Sequence, residues 1–186
     1  AGVFSTDDSD ELSTFNASYF TLLSLDYNFA SQLGFDNASV RIDYVYNDEH
    51  ADANTRDFSQ VLSLSSQWQQ GSWGLRTDLS AGDGHFGQSD VAGLVLMPFY
   101  DFTEHLQAVL RYTYITSKDD NGVRLNRYES EIVSGRGDQY DEVYAGFNAF
   151  FYGHKFKWQS GLQYTWLDDS ANDGGEYEGW GVSTGL

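Results

Sequence analysis

Residues 156–166 read "FKWQSGLQYTW". Taking alternate positions separates Phe156, Trp158, Ser160, Leu162, Tyr164 and Trp166 from Lys157, Gln159, Gly161, Gln163 and Thr165. The first set is apolar and aromatic, and the second is polar with a single cation. Successive side chains of a β-strand leave the pleat on opposite sides, so this period of two describes a strand whose faces meet different surroundings.

The same pattern recurs along the chain. From Phe15 to Phe29 the odd positions read Phe, Ala, Tyr, Thr, Leu, Leu, Tyr, Phe, with Asn16, Ser18, Phe20, Leu22, Ser24, Asp26 and Asn28 between them. "ASVRIDYVY" sets Val40, Ile42, Tyr44 and Tyr46 against Ser39, Arg41 and Asp43. Similar runs occupy 57–68, 73–81, 105–116, 141–152 and 156–167; the segment 90–100 is nearly all apolar, and "EGWGVSTGL" begins another alternation. This predicts about nine strands, each close to the ~9–11 residues of a strand that crosses a bilayer at a tilt. Tyr140, Val143, Tyr144, Phe147 and Phe151, and also Leu106, Val109, Leu110 and Thr113, fit a helical stripe equally well. Gly146, Gly153 and the dense aromatics favour strands there.

Composition agrees with an all-β chain. Aromatics make up 17% of the 186 residues, with 19 Gly, one Pro and no Cys. Absence of Cys excludes a disulfide scaffold and Cys-based zinc sites. A formal charge of −18 repels nucleic acid. The longest apolar run, "AGLVLMPFY" at 92–100, is half the length of a membrane-spanning helix. No basic and apolar leader precedes Ala1, so any export signal is expected to have been removed or to lie outside the chain.

The connections alternate between short and long: "SQLGFDN", then "NDEHADANTRD", "QQGS", "GDGHFGQS", "DFTE", 117–139, "GHK" and "DDSANDGGEYE". Outer-membrane barrels carry short periplasmic turns and long external loops, whereas a soluble meander has no reason for such an order. The long set, 5–12, 47–57, 82–89, 117–139 and 168–178, holds 19 of the 28 acids, so one end is strongly anionic. Aromatics gather where strands meet their connections. Tyr27, Phe29, Trp68, Trp73, Trp158, Tyr164 and Trp166 are the candidate lipid-facing or girdle residues. A soluble sandwich or lipocalin-like barrel also alternates, but it must pack its apolar face to native density. Rings as large as Trp158, Tyr164 and Trp166 in one file fit a lipid face better. The fold expected is a transmembrane antiparallel up-and-down β-barrel. With long loops on one side, Leu186 ends on the turn side while Ala1–Ser5 starts on the loop side. Single-chain barrels have an even strand count, so "AGVFS" is expected to be the tip of an earlier strand.

The chain resembles the phosphate-selective porin O and P family, trimeric 16-stranded outer-membrane channels. The similarity covers essentially all of it and is densest in "WGLRTDLSAGDG", "GLVLMPFYDFTEHLQAVLRYTY", "NRYESEIVSGRGDQYDEVYAGFNAFFYGHKFKWQSGLQYTW" and "NDGGEYEGWGVSTGL". Residues 1–186 look like one segment, the C-terminal part of such a barrel, with no second domain. Family members usually run on past the last Gly-Leu to a terminal aromatic, and here the chain stops at Leu186. The resemblance implies a bacterial outer-membrane location, a homotrimer, and the lipid bilayer and lipopolysaccharide as partners. It implies small hydrophilic solutes or anions in transit. In the family, selectivity comes from basic lumen residues and a constricting loop contributed largely by the N-terminal half; no such cluster matches here residue by residue, so phosphate selectivity does not carry over.

Candidate pore-lining residues are Arg41, Asp43, Arg76, Asp78, Arg111, Lys157 and Gln163, all on polar lists. Two readings stay open. Inward guanidinium groups would hold anions through forked hydrogen bonds. Alternatively each Arg is neutralised by a neighbouring Asp, as "RID" and "RTD" suggest, leaving a solvated wall. "GDGHFG" at 82–87 has the letters of a dinucleotide fingerprint, but no helix is expected to follow, so it reads as a loop. His50, His85, His105 and His154 lack ligand spacing, and no metal or cofactor is expected. "DDSANDGGEYE" is only faintly like a calcium loop, since Ala171 falls at a ligand position; weak divalent binding that bridges lipopolysaccharide is its functional reading. No catalytic constellation stands out, so no enzyme is expected. Loop 117–139, with Lys118, Arg124, Arg127 and Arg136 among five acids, either folds inward or caps the outside. The competing functions are a docking barrel with an occluded lumen and acidic partner-binding loops, and a lipocalin-like carrier.

Overall fold

The computed structural model describes residues 1–5, 19–47, 58–125, 129–152, 155–172 and 175–186. The expected strand start at Phe15, the acidic segments within 6–18 and 48–57, and Arg127, His50, Gly153 and His154 lie outside the described residues. The strands are β1 (Gly2–Ser5), β2 (Tyr19–Asn28), β3 (Asn37–Asn47), β4 (Phe58–Gln70), β5 (Trp73–Gly84), β6 (Val91–Thr103), β7 (Leu106–Ser117), β8 (Val123–Arg124), β9 (Arg136–Gly137), β10 (Gln139–Tyr152), β11 (Phe156–Asp168) and β12 (Tyr177–Gly185). Ten of them form one antiparallel up-and-down sheet in the order β1-β2-β3-β4-β5-β6-β7-β10-β11-β12, and β8 and β9 form a ribbon of their own. The nine expected strands are all present, and "AGVFS" adds a tenth by pairing with β2. Both segments with a helical stripe are strands, β7 and β10.

One connection differs from expectation. "SQLGFDN" is too long for a two-residue hairpin and coils into a single helical turn, α1 (Ala30–Leu33), ended by Gly34 at φ 73°. A left-handed residue at that position is cheap only for glycine. The short turns are laced to one another: the Asp36 amide donates to Gln69 O (3.1 Å), the Asp101 amide to Ser72 O (2.8 Å) and the Phe150 amide to His105 O (2.8 Å). This fixes a turn end and, opposite it, a loop end.

Directly opposed residues of an antiparallel ladder share a face. One row of opposed residues runs Asp26, Arg41, Ser65, Asp78, Val95, Thr113, Glu142, Thr165. It starts two residues from the turn end of β2 and finishes nine from that of β11, a climb of seven residues in seven strand-to-strand steps. At ~3.3 Å per residue and ~4.8 Å between strands, the strands lean ~35° from the normal to the line of turns.

The buried hydrophobic set is small: Phe99, Val123, Leu125, Tyr140, Leu167, Ala30 and Ala38. Most of these sit at the loop end, where Val123 and Leu125 meet Tyr140 and Leu167. Along the rest of the sheet the apolar face stands open, with Leu25 and Trp180 each 74% exposed and Leu162 55% exposed. Among the described residues the only other sheet is the β8–β9 ribbon, so no second layer covers that face as a sandwich would require.

On the polar face, glycines make room for rings to lie flat. A Cβ at Gly161 or Gly146 would collide with the Tyr144 ring, and one at Gly74 with the Phe99 ring. Gly161→Val therefore lifts Tyr144 off the sheet and costs about 1–3 kcal/mol, as overpacking does elsewhere. Pairing it with Tyr144→Ala should recover most of that loss, read by urea unfolding followed through tryptophan fluorescence.

Candidate functional site

The seven residues expected to line a pore share one face of the sheet, because the register carries Asp43, Arg41, Asp78, Arg76, Arg111, Lys157 and Gln163 onto the same side. On the opposite face the charged strand residues are Asp83, Asp141, Asp168 and Glu178, all near the loop end.

Their environments differ. Arg41 holds Asp43 in a forked pair, Nε to Oδ2 at 2.7 Å and Nη2 to Oδ1 at 2.8 Å, and the Ser24 hydroxyl donates to the same carboxylate. Here the neutralised wall is what forms. At "RTD" it does not: Asp78 accepts from Ser63 Oγ at 2.8 Å, while Arg76 makes no ion pair among the described residues. Instead the Arg76 guanidinium lies 5.5 Å over the Phe99 ring, which itself rests on Gly74. Arg111 repeats the stack, 5.1 Å over Tyr144, and also donates from Nη2 to Glu142 Oε1 at 2.6 Å. Glu142 is 3% exposed, and its other oxygen accepts the Tyr140 hydroxyl at 3.0 Å. Lys157 has no ion pair among the described residues.

Between these cations runs a chain of amides. Gln159 Nε2 donates to Asn148 Oδ1 (2.8 Å), Asn148 Nδ2 to Gln107 Oε1 (2.8 Å) and Gln107 Nε2 to Asp101 Oδ1 (2.7 Å). Gln69 Nε2 reaches Asp101 from the other side at 3.2 Å. Arg76, Arg111 and Lys157 line a hollow of about 210 Å³ over this chain. Among the residues not expected at this site, Gln107, Glu142, Tyr144 and Asn148 lie in β7 and β10, where the helical stripe obscured their parity; Phe99 and Asp101 lie in β6, whose nearly all-apolar run hides it, and Gln159 already stood on the polar side of 156–166.

Gln163 is tied down instead of facing open space, donating Nε2 to Glu129 Oε1 at 3.0 Å. Glu129 belongs to a 3₁₀ turn, Glu129–Glu131, in the long loop. The described parts of 117–139 lie over the loop end of the polar face, burying Val123 and Leu125 on Tyr140 and Leu167. Apolar residues within the loop drive this, since they remove surface from water only against the sheet. Arg136 Nη1 donates to Gln88 Oε1 (3.0 Å), and Gln88 Nε2 to Gly122 O (2.7 Å), joining the loop to 85–90. Asp138 clamps two loops, its carboxylate accepting the Asn121 and Ser170 amides, each at 2.7 Å. Lys118 meets Asp90 at 3.2 Å.

The aromatic residues form two bands on the apolar face. At the turn end Tyr27 stacks with Phe29, Phe29 meets Trp68 edge-on, and Trp73 and Trp158 meet Tyr100 and Phe147. At the loop end Tyr164 contacts Trp166 and Trp180. In "GDGHFG" the residues 82–84, expected as loop, end β5 and only 85–87 open the connection to β6, with no helix after it; Phe86 and Gly87 take positive φ of 51° and 86°. Among the described residues no group of three or more His, Asp or Glu is arranged to hold a metal.

No family model, no curated protein and no solved structure matches this chain.

Hydrogen bonds from Ser170 and the Asn121 amide hold the Asp138 carboxyl below the ordinary carboxylate range, and the Gly84 amide followed by Lys118 does so for Asp90. A lowered native pKa means that the unfolded loops bind more protons, so this anchoring is complete above the ordinary value of ~3.9 and is lost as pH falls through and below it. Exchange protection of the Asn121 and Ser170 amides, corrected for intrinsic rates, should fall between pH 6 and pH 3. In Asp138→Asn it should be low already at pH 6.

Proposed function

We propose that this chain is part of an outer-membrane β-barrel porin, similar to the porin O and P type, that conducts small hydrophilic solutes passively. The observation that carries the proposal is the division of one sheet into a face with nearly all the mid-strand charge and a face of exposed rings and aliphatics. In water the second face would lose its burial energy at ~25 cal/mol per Å². In hydrocarbon it is at home, and the laddered backbone leaves only the sheet's two edges to be closed.

Three features support the same reading. The ~35° lean falls at the 35–45° tilt of closed membrane barrels. The two aromatic bands match the girdles at headgroup level. The shortest connections, 71–72, 104–105 and 153–155, gather at one end, and the longest and most acidic, 6–18, 48–57 and 118–138, at the other. The chain would then supply ten strands of a larger closed barrel in the bacterial outer membrane, as one segment of a trimer, touching lipid and lipopolysaccharide. Conduction needs no chemistry: a wet, hydrogen-bonded wall lowers the cost of carrying an ion through the hydrocarbon layer, and wall charges bias which sign passes. The occluded docking barrel has one observation in its favour, the loop 117–139 lying over the polar face.

Two experiments test the proposal. Single-channel recording in planar bilayers should show ohmic steps, with Lys157→Glu moving the reversal potential toward cation selectivity; silence would favour the docking barrel. Leu162→Arg should cost about 2–4 kcal/mol in urea unfolding from phospholipid vesicles, while Ser65→Arg, on the polar face opposite Asp78, stays within ~0.5 kcal/mol. Equal costs at the two positions would remove the lipid face from the proposal.

A further inference from the structure

We infer that the hollow bounded by Arg76, Arg111 and Lys157 is a binding site for small organic carboxylates with a flat or apolar body, and not for inorganic phosphate. The inference rests on the polar face being wet, as the proposed function has it, but not on conduction.

In a chain of charge −18, three of the ten Lys and Arg converge on this hollow, and no carboxylate lines it. Only Arg111 is balanced, by Glu142; Arg76 and Lys157 make no ion pair among the described residues. Two uncompensated cations beside a recess attract an anion from solution.

The rest of the wall defines that anion. Arg76 and Arg111 are each stacked over a ring, Phe99 and Tyr144, at 5.5 and 5.1 Å. A guanidinium held at a ring face keeps N–H donors for a forked carboxylate contact, and at Arg76 no carboxylate among the described residues takes them. Glycines beneath the two rings let them lie flat and keep the recess open. Met97, Phe99, Val109 and Phe150 supply apolar wall, and Gln107, Asn148 and Gln159 supply amides. Phosphate has no apolar surface to set against that wall, so only an anion with a hydrocarbon body uses both parts. The volume, about 210 Å³, is below the ~300–1,000 Å³ of drug-sized sites and accommodates a body the size of benzoate.

The test is binding to the full chain in detergent micelles at constant ionic strength, by ligand-observed NMR with protein-free micelles as the blank. Benzoate and cyclohexanecarboxylate should bind, benzamide should not compete, and phosphate should be at least about tenfold weaker than benzoate. Arg76→Gln and, independently, Lys157→Gln should each weaken benzoate about tenfold with unchanged near-ultraviolet circular dichroism. Should one variant fail to fold, the other still decides. Phosphate binding as tightly as benzoate, or benzoate binding indifferent to the variant that folds, would overturn the assignment. Channel recordings report separately: benzoate binding with electrical silence leaves this site standing and removes the porin, and conductance without benzoate binding does the reverse.

Discussion

The constraint on which the structure depends is the registry between side-chain parity and strand pairing. A one-residue slip in any ladder would carry a whole strand's polar set to the apolar face. From β2 through β12 no ladder makes that slip: Asp26 opposes Arg41, Asp78 opposes Val95 and Glu142 opposes Thr165, all on one side. On the other, Leu25, Ile42, Leu64, Leu79 and Leu94 stand in one row. The shifts that occur, in the β4–β5, β6–β7 and β10–β11 ladders, fall at strand ends, where few side chains follow them. With so little buried hydrocarbon inside the protein, this division decides what surroundings the sheet can tolerate.

Within the polar face, cations are held in two ways. Arg41 is neutralised by the carboxylate two residues on, which keeps the wall charged locally but balanced. Arg76 and Arg111 are held by rings that lie on glycines, an arrangement that fixes position without removing charge at Arg76. The difference follows from what each Asp finds nearby. Asp43 accepts from Arg41 and from Ser24, whereas Asp78 is taken by Ser63. Identical spacing in "RID" and "RTD" thus leads to opposite electrostatics.

The loop end adds the one conventional core among the described residues. Val123, Leu125, Tyr140 and Leu167 pack there, and the Asp138 carboxylate joins the loop to Ser170. On the proposed reading this places a folded segment over the mouth of the passage, with Glu129 and Gln163 as its contact to the wall.

Much of this was legible in the residues themselves. Period-two alternation in 156–166 and its repeats located nine of the ten strands of the main sheet and the faces of Arg41, Arg76, Arg111 and Lys157, because parity is a property of the backbone and needs no partner. In 106–117 and 139–152 short apolar runs satisfy both periods, and the dense aromatics, with Gly146 and Gly153 in the second, favour strands. What only tertiary structure decided were the relations across strands: that Arg76 finds Phe99 instead of Asp78, that Tyr144 lies over Gly161, that Gln107, Asn148 and Gln159 join hands, and that 117–139 turns onto the sheet. Each depends on register between segments far apart in the chain, and register is set by the sum of all the ladders, which no single stretch contains.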